Sequence, residues 1–296
     1  MDRRRFLRSS VAAAVAGLIG PAAGFASGLG NGFAFGARRP LDRIGLQLYT
    51  VRSLMANDVE GTLSLVAAIG YSEVEFAGLF DRSPRQVRKT LDGLGLTAPA
   101  THLGIGVFRD GLDEAIEAGH TLGHRFLILP SLPRSAFAST DAVRRIAEEM
   151  NGFGERCRTA GLRFGFHNHA TELGQVEGEV PLRLLLEHTD PALVTFEVDL
   201  FWMVDGGGDP LAYFAAYPGR FELCHVKDRT ASGEMVDVGA GVIDFPAIFA
   251  RARRAGLEHY FVEHDDPKDP ADSVATSFHY LRSLREAAGK RSSVAS

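Results

Sequence analysis

Cysteine is scarce in this chain, with Cys157 and Cys224 the only two among 296 residues. They stand far apart with no ligand-spaced companion, so a zinc or redox motif built on cysteine is excluded. Cys224 falls in an apolar strand-like run and Cys157 in a helical pattern. That favours two buried thiols over the disulfide an exported protein could form. Positive charge is also short: 32 Lys and Arg stand against 37 Asp and Glu, giving a net charge of -5. A surface built to hold phosphate backbones is therefore not expected, nor is nucleic acid as a partner. The apolar stretch from Val11 to about Ala23 falls short of the roughly 20 residues a comfortable membrane span needs. No Gly-x-Gly-x-x-Gly follows the first strand-like run, which removes the main support for a dinucleotide fold.

What is present begins with an address. Arg3-Arg4-Arg5-Phe6-Leu7-Arg8 followed by an Ala/Val/Leu/Gly stretch resembles a twin-arginine export signal. Residues 1–26 are expected to be that signal, 27–40 a Gly/Ala-rich linker, and 41–296 the folded domain. A membrane-tethered N-terminus is the alternative. Cleavage after Ala26 would remove four arginines and one aspartate, taking the net charge from -5 to -8. The implied destination is the periplasm, with the twin-arginine machinery as a partner. That route carries folded proteins, which suits an enzyme loaded with metal before export.

From Ile44 onward, apolar strand-like runs alternate with amphipathic helical patterns. The strand candidates are 44–51, 71–78, 98–105, 125–132, 163–171, 194–202, 221–228 and 259–266. The helical patterns cover 59–69, 84–94, 112–122, 141–160, 181–188, 210–217, 245–255 and 271–288. Gly70, Gly95, Gly161 and Gly256 punctuate helix ends. Such alternation predicts parallel strands joined by crossovers, and eight units favour closure into a (β/α)8 TIM barrel over an open sheet.

Barrel strands are covered on both faces and normally read as apolar runs. Here nearly every run turns polar toward its C-terminal end, where barrel sites are assembled. Glu73 and Glu75 lie in the second run, His102 in the third, and His167, Asn168 and His169 in the fifth, with Glu172 beyond. Glu197 and Asp199 follow in the sixth, His225 and Lys227 in the seventh, Glu263 and Asp265 in the eighth. Residues two apart share a face. Each pair Glu197/Asp199, His225/Lys227, Glu263/Asp265 and His167/His169 therefore points one way. A lone histidine is more often a hydrogen-bonded core residue than a ligand. Several converging ionisable groups, however, cannot all be desolvated without a compensating partner. A divalent cation supplies it, and mixed N/O donors suit Mn, Co or Zn, with Mg less natural.

These residues resemble the xylose isomerase-like barrel family of sugar phosphate isomerases and epimerases. The likeness rests on Leu46-Gln47-Leu48-Tyr49-Thr50, Gly70-Tyr71-Ser72-Glu73-Val74-Glu75-Phe76, Phe166-His167-Asn168-His169, Glu197-Val198-Asp199, Cys224-His225-Val226-Lys227-Asp228 and Val262-Glu263-His264-Asp265. The resemblance implies one divalent metal held by residues from strands 5 to 8. Asp199, His225 and Glu263 match the last three positions. His167 stands where the family usually has Glu, as in a minority His-Asn-His branch, and is taken as the fourth ligand, with His169 and Glu172 in reserve. Trp202 stands where some epimerases carry a substrate-binding His, and it reads equally as a stacking face or as core filler.

The implied activity is isomerisation or epimerisation of a free sugar or keto-sugar through an enediolate, with the metal as Lewis acid and template. Glu263 is the first candidate base, with His102, His169 and Glu75 as further acid/base or hydroxyl-binding groups. Lys227 would neutralise an oxyanion, or simply pair with Asp228 or Asp265. Gln47, Glu172 and Trp202 are the expected substrate contacts. Elimination from a 3-keto-glycoside at the same site is the alternative reaction. A three-zinc abasic-site endonuclease and a non-catalytic sugar-binding barrel are the alternatives of other classes. Family members often form dimers, so a homodimer is an expectation.

Overall fold

The computed structural model describes residues 40–294. The export signal expected over 1–26, and all but the last residue of the linker expected over 27–40, lie outside the described residues. Among the described residues no helix is long and apolar enough to cross a membrane.

Eight parallel strands close into a barrel: β1 (Gly45–Gln47), β2 (Glu73–Phe76), β3 (Thr97–His102), β4 (Phe126–Leu129), β5 (Arg163–His167), β6 (Val194–Asp199), β7 (Phe221–Val226) and β8 (His259–Val262). Each pairs with its sequence neighbours, and β1 closes the ring against β8 through Gly45↔Phe261 and Leu46↔Val262. The helices between them bury one face each. The helix Pro84–Leu94 shows how locally this is written. Ser83 and Gln86 form a capping box, Pro84 opens the first turn, and Gly95 ends the helix at φ 69°.

Most of the core lies between strands and helices, while Ala100, Phe126, Ile128, Leu223 and Phe261 fill the barrel interior. Gly45 makes that filling possible: a Cβ there would stand 2.4 Å from the Phe261 ring. At the N-terminal floor, Glu73 accepts from Arg43 (3.0 Å) and from His259 Nδ1 (2.8 Å). These residues plug the end of the barrel away from the cavity.

The strands end earlier than the expected runs. Tyr49 and Thr50 leave β1 in a 3-10 turn, Leu48–Val51, because the Gln47 side chain accepts from the Tyr49 backbone N–H (3.0 Å). Trp202 is not in β6 but in the helix Leu200–Asp205, capped by Asp199, whose Oδ1 accepts from the Trp202 N–H (2.9 Å). The pattern over 245–255 breaks into Phe245–Phe249 and Ala252–Ala255. Asp209 caps the helix Pro210–Ala216, accepting from Leu211 N–H (2.8 Å). The Gly-rich segment 205–209 leads into this helix. Cys157 and Cys224 are both buried and unpaired.

Candidate active site

A cavity of about 420 Å³ opens at the C-terminal end of the barrel. His102, His167, His169, Lys227, Glu263 and Asp265 line it together with Tyr49, Ala77, Pro130 and Ser131. At its base, His167, Asp199, His225 and Glu263 bring one donor atom each within 4.8 Å of one another. These are the four residues that the family resemblance implies as ligands.

Hydrogen bonds behind the two imidazoles determine which nitrogen faces this point. His167 Nδ1 lies 3.0 Å from the Pro130 carbonyl, to which it can only donate. Its Nε2 is thereby turned toward Asp199 Oδ2, 3.3 Å away. His225 is reversed, since its Nε2 donates to Glu75 Oε2 at 2.7 Å. Its Nδ1 sits 2.7 Å from Glu263 Oε2 without forming an aligned hydrogen bond to any group. Burial would lower His225, but Glu197 and Glu263 raise it well above its ordinary value, so the nitrogen that faces Glu263 needs an electrophile, a proton or a metal ion in its place. Two such nitrogens and two carboxylates at one point form a donor set that fits a divalent ion. Asn168 supports the set from behind, its Oδ1 accepting from the Asp199 backbone N–H (3.1 Å).

Lys227 enters the same point from the end of β7. Its Nζ lies 3.0 Å from Asp199 Oδ2, 2.7 Å from Glu263 Oε2 and 2.8 Å from Asp265 Oδ1. Asp228 is not among its partners. Burial would lower the Lys227 ammonium, but these three carboxylates raise it well above its ordinary value. Burial likewise raises the Glu263 carboxyl, yet Lys227 and His225 hold it well below the ordinary range. For Asp199, burial is outweighed by Lys227 and then His167, which bring it down to about 2. Both carboxylates are thus ionised and ready to bind a cation at neutral pH.

A second quartet lies against the first and shares His225: Glu75, His102, Glu197 and His225. Here the nitrogens are already spent. His102 Nε2 meets Glu197 Oε2 at 2.8 Å, and His225 Nε2 meets Glu75 Oε2 at 2.7 Å. Glu75 also accepts from Gln47 Nε2 at 2.8 Å. We therefore read this quartet as the support that orients His225 rather than as an ion site.

His102, His169 and Lys227 line the cavity beside the quartet, whereas Glu75 and Gln47 lie behind it and do not. Glu172 is also off the cavity, buried and accepting from the His169 backbone N–H (2.8 Å); burial pushes its carboxyl up to about 7. Trp202 does not line the cavity either. It packs against His169, with ring centroids 5.5 Å apart, and so fixes a lining residue. Burial, then the neighbouring His167, lowers His169 to about 3, so its ring is neutral. Sequence reading gave no role to Glu197, Tyr49, Ser131 or Arg52. For Glu197 the signal was there, two residues before Asp199 on one strand face. Tyr49 stands in the Leu46–Thr50 motif, which gave it no role of its own, and Ser131 and Arg52 carried no signal because they lie beyond the strand ends.

Fold and quartet together define a parallel barrel that assembles its site at the C-terminal ends of its strands. The chain belongs to the xylose isomerase-like TIM barrel family, which it matches over residues 63–284. It is 25% identical over 266 residues to an inosose dehydratase of Geobacillus kaustophilus, covering 76% of this chain and 84% of that one. It is similar in structure to a sugar phosphate isomerase/epimerase from Parabacteroides distasonis, with TM-score 0.71 and 29% identity, covering 80% of this chain and 92% of the other. The fold is shared with the IOLI protein solved with a zinc atom, at TM-score 0.66 and 15% identity, covering 82% and 97%.

Proposed function

We propose that this protein removes the proton next to the carbonyl of a keto-sugar or keto-polyol and then expels an oxygen substituent from the β-carbon. The observation that carries this reading is the meeting of His167 Nε2, Asp199 Oδ2, His225 Nδ1 and Glu263 Oε2 at the base of a cavity. One divalent ion held by these atoms would bind the carbonyl oxygen and a neighbouring hydroxyl and stabilise the negative charge that develops as the C–H bond breaks. Glu263, ionised and facing the cavity, accepts the proton. Lys227 places a fixed positive charge beside the developing oxyanion. The proton taken up by Glu263 then passes to the departing oxygen, toward which His169, held neutral, offers an N–H hydrogen bond.

Three considerations favour elimination. With His167 on β5, Glu263 is the only glutamate among the described residues that line the cavity, so a proton exchange between two glutamates has no second base here. A single carboxylate that takes the proton from carbon and returns it to the departing oxygen suffices for elimination. The inosose dehydratases among the relatives are named for loss of water. Isomerisation is the second reading, favoured by the name of the Parabacteroides structure. A phosphorylated substrate fits poorly, because the one cation lining the cavity, Lys227, is already shared among three carboxylates.

The test is elemental analysis of the purified protein together with turnover of a panel of keto-sugars in deuterated water. One transition metal per chain and an unsaturated product are expected. A product of unchanged formula, with deuterium at a carbon next to the carbonyl, would establish isomerisation instead. Asp199→Ala and His225→Ala should each lose the metal and more than about a hundredfold in activity. Metal retained in both variants sinks the ligand assignment.

A further inference from the structure

Lys227 is buried, and its ammonium reaches three carboxylates that do different work. Asp199 Oδ2 at 3.0 Å and Glu263 Oε2 at 2.7 Å are the same oxygens that face His167 Nε2 and His225 Nδ1 at the ion site. Asp265 Oδ1, at 2.8 Å, belongs to a residue outside that quartet. Asp265 is also the partner to which Nζ donates an aligned hydrogen bond, whereas Asp199 and Glu263 are met as ion pairs.

An ammonium and a divalent cation that share two carboxylate oxygens repel each other at close range. The ammonium cannot simply be left without a partner, because a buried charge stripped of its counter-charge is strongly destabilising. Asp265 supplies the partner that the ion does not need. Its backbone is pinned from two directions. Arg52 Nη1 donates to its carbonyl at 2.6 Å and also to the Tyr49 carbonyl at 2.9 Å, which ties Asp265 to the end of β1. The Asp265 N–H meets Met235 Sδ at 3.2 Å, which ties it to the hairpin after β7. The Asp265 side chain is 35% exposed, against 0% for Asp199 and 6% for Glu263. Its charge is therefore hydrated on one side and available to Lys227 on the other.

We infer that Asp265 is a positioning residue that draws the Lys227 ammonium off Asp199 and Glu263, so that those two carboxylates can hold an ion while Lys227 stays charged beside it. This inference rests on the ion reading above. Lys227 is then a competitor for the two oxygens, and Asp265 decides how strongly it competes. Without the Asp265 charge, the ammonium falls back on Asp199 and Glu263 and opposes the ion. Without the ammonium, Asp265 has nothing to hold and ceases to matter to the ion. A carboxylate that acted on the ion directly, or only through the fold, would matter equally with and without Lys227.

The experiment measures zinc and manganese affinity, by competition with a chelator, in wild type, Asp265→Asn, Lys227→Met and the double variant. Asp265→Asn keeps the shape and both backbone contacts, yet affinity should fall about ten- to a hundredfold. Lys227→Met should bind at least as tightly as wild type. Adding Asp265→Asn to Lys227→Met should then change affinity by less than about twofold. Asp265→Glu, which keeps the charge, should recover most of the loss. Wild-type affinity in Asp265→Asn overturns the inference, and so does a loss of equal size in both backgrounds. A wild-type chain that binds neither metal overturns the ion reading and this inference together, an outcome distinct from the other two.

Discussion

At the residue scale, the two nitrogens of His225 have been given different tasks, and Glu75 decides which is which. Its carboxylate accepts from Nε2 at 2.7 Å, which turns Nδ1 toward Asp199 and Glu263. Gln47 and Glu197 fix this arrangement from either side, Gln47 by donating to Glu75 and Glu197 by lying 3.3 Å from the same Nε2. Carboxylate support of this kind raises the basicity of a ligating imidazole and holds its ring in place. Glu75→Gln keeps the shape and an acceptor but removes the charge, so metal affinity should fall about ten- to a hundredfold. Competition with a chelator measures this. An affinity equal to wild type would show that the second quartet does not act through His225.

At the element scale, the segment after β7 depends on one side chain. Asp228 is buried, and its two oxygens accept from the backbone N–H groups of Arg229 (2.8 Å), Gly239 (2.9 Å), Gly241 (3.0 Å) and Ile243 (3.2 Å). These bonds fold residues 228–243 over a two-stranded hairpin, Asp228–Arg229 with Met235–Val236. The hairpin ends on the site, where Met235 Sδ meets the Asp265 backbone N–H at 3.2 Å. A segment with few apolar contacts opens easily once its polar anchor is lost. Asp228→Ala should cost about 2–3 kcal/mol and expose residues 229–243 to protease. An unaltered cleavage pattern and melting temperature would show that the segment is held by other contacts. The same scale accounts for the shortened strands. A period-two pattern assigns faces only while the chain stays extended, and the Gln47 and Asp199 caps turn it before Tyr49 and Trp202.

At the scale of the whole molecule, acid stability is linked to a buried histidine far from the ion site in sequence and role. His124 donates from Nδ1 to the Ala98 carbonyl (2.6 Å). Burial holds its ring neutral, with the pKa down to about 4. In the unfolded chain the same ring titrates near its ordinary 6.5. Between those values the unfolded state binds the extra proton, so stability falls as the pH drops from about 6.5 to about 4 and this contribution levels off below. The size is about 3 kcal/mol, spread over the cooperative unfolding of the barrel. Chemical denaturation across that range should show it, and His124→Asn should flatten the profile by that amount. Identical slopes in both proteins would remove His124 from the acid response.

The amino-acid order by itself determined the eight strand–helix units, since hydrophobic period, capping residues such as Ser83 and Gln86, and terminal glycines are local properties. It also determined that His167, Asp199, His225 and Glu263 stand at strand ends with their polar groups on one side, because alternation along an extended chain is local too. Only the closed barrel decided what these groups meet. His225 and Glu75 are 150 residues apart, and Arg52 and Asp265 are 213 apart. No pattern in the chain states which nitrogen of an imidazole will be spent on such a partner. Closure likewise placed Gln47, Glu75, Glu172 and Trp202 behind the cavity wall while leaving Tyr49 on it. Whether a residue past a strand end faces solvent, ligand or core depends on the neighbouring loop, and that neighbour comes from the other end of the sequence.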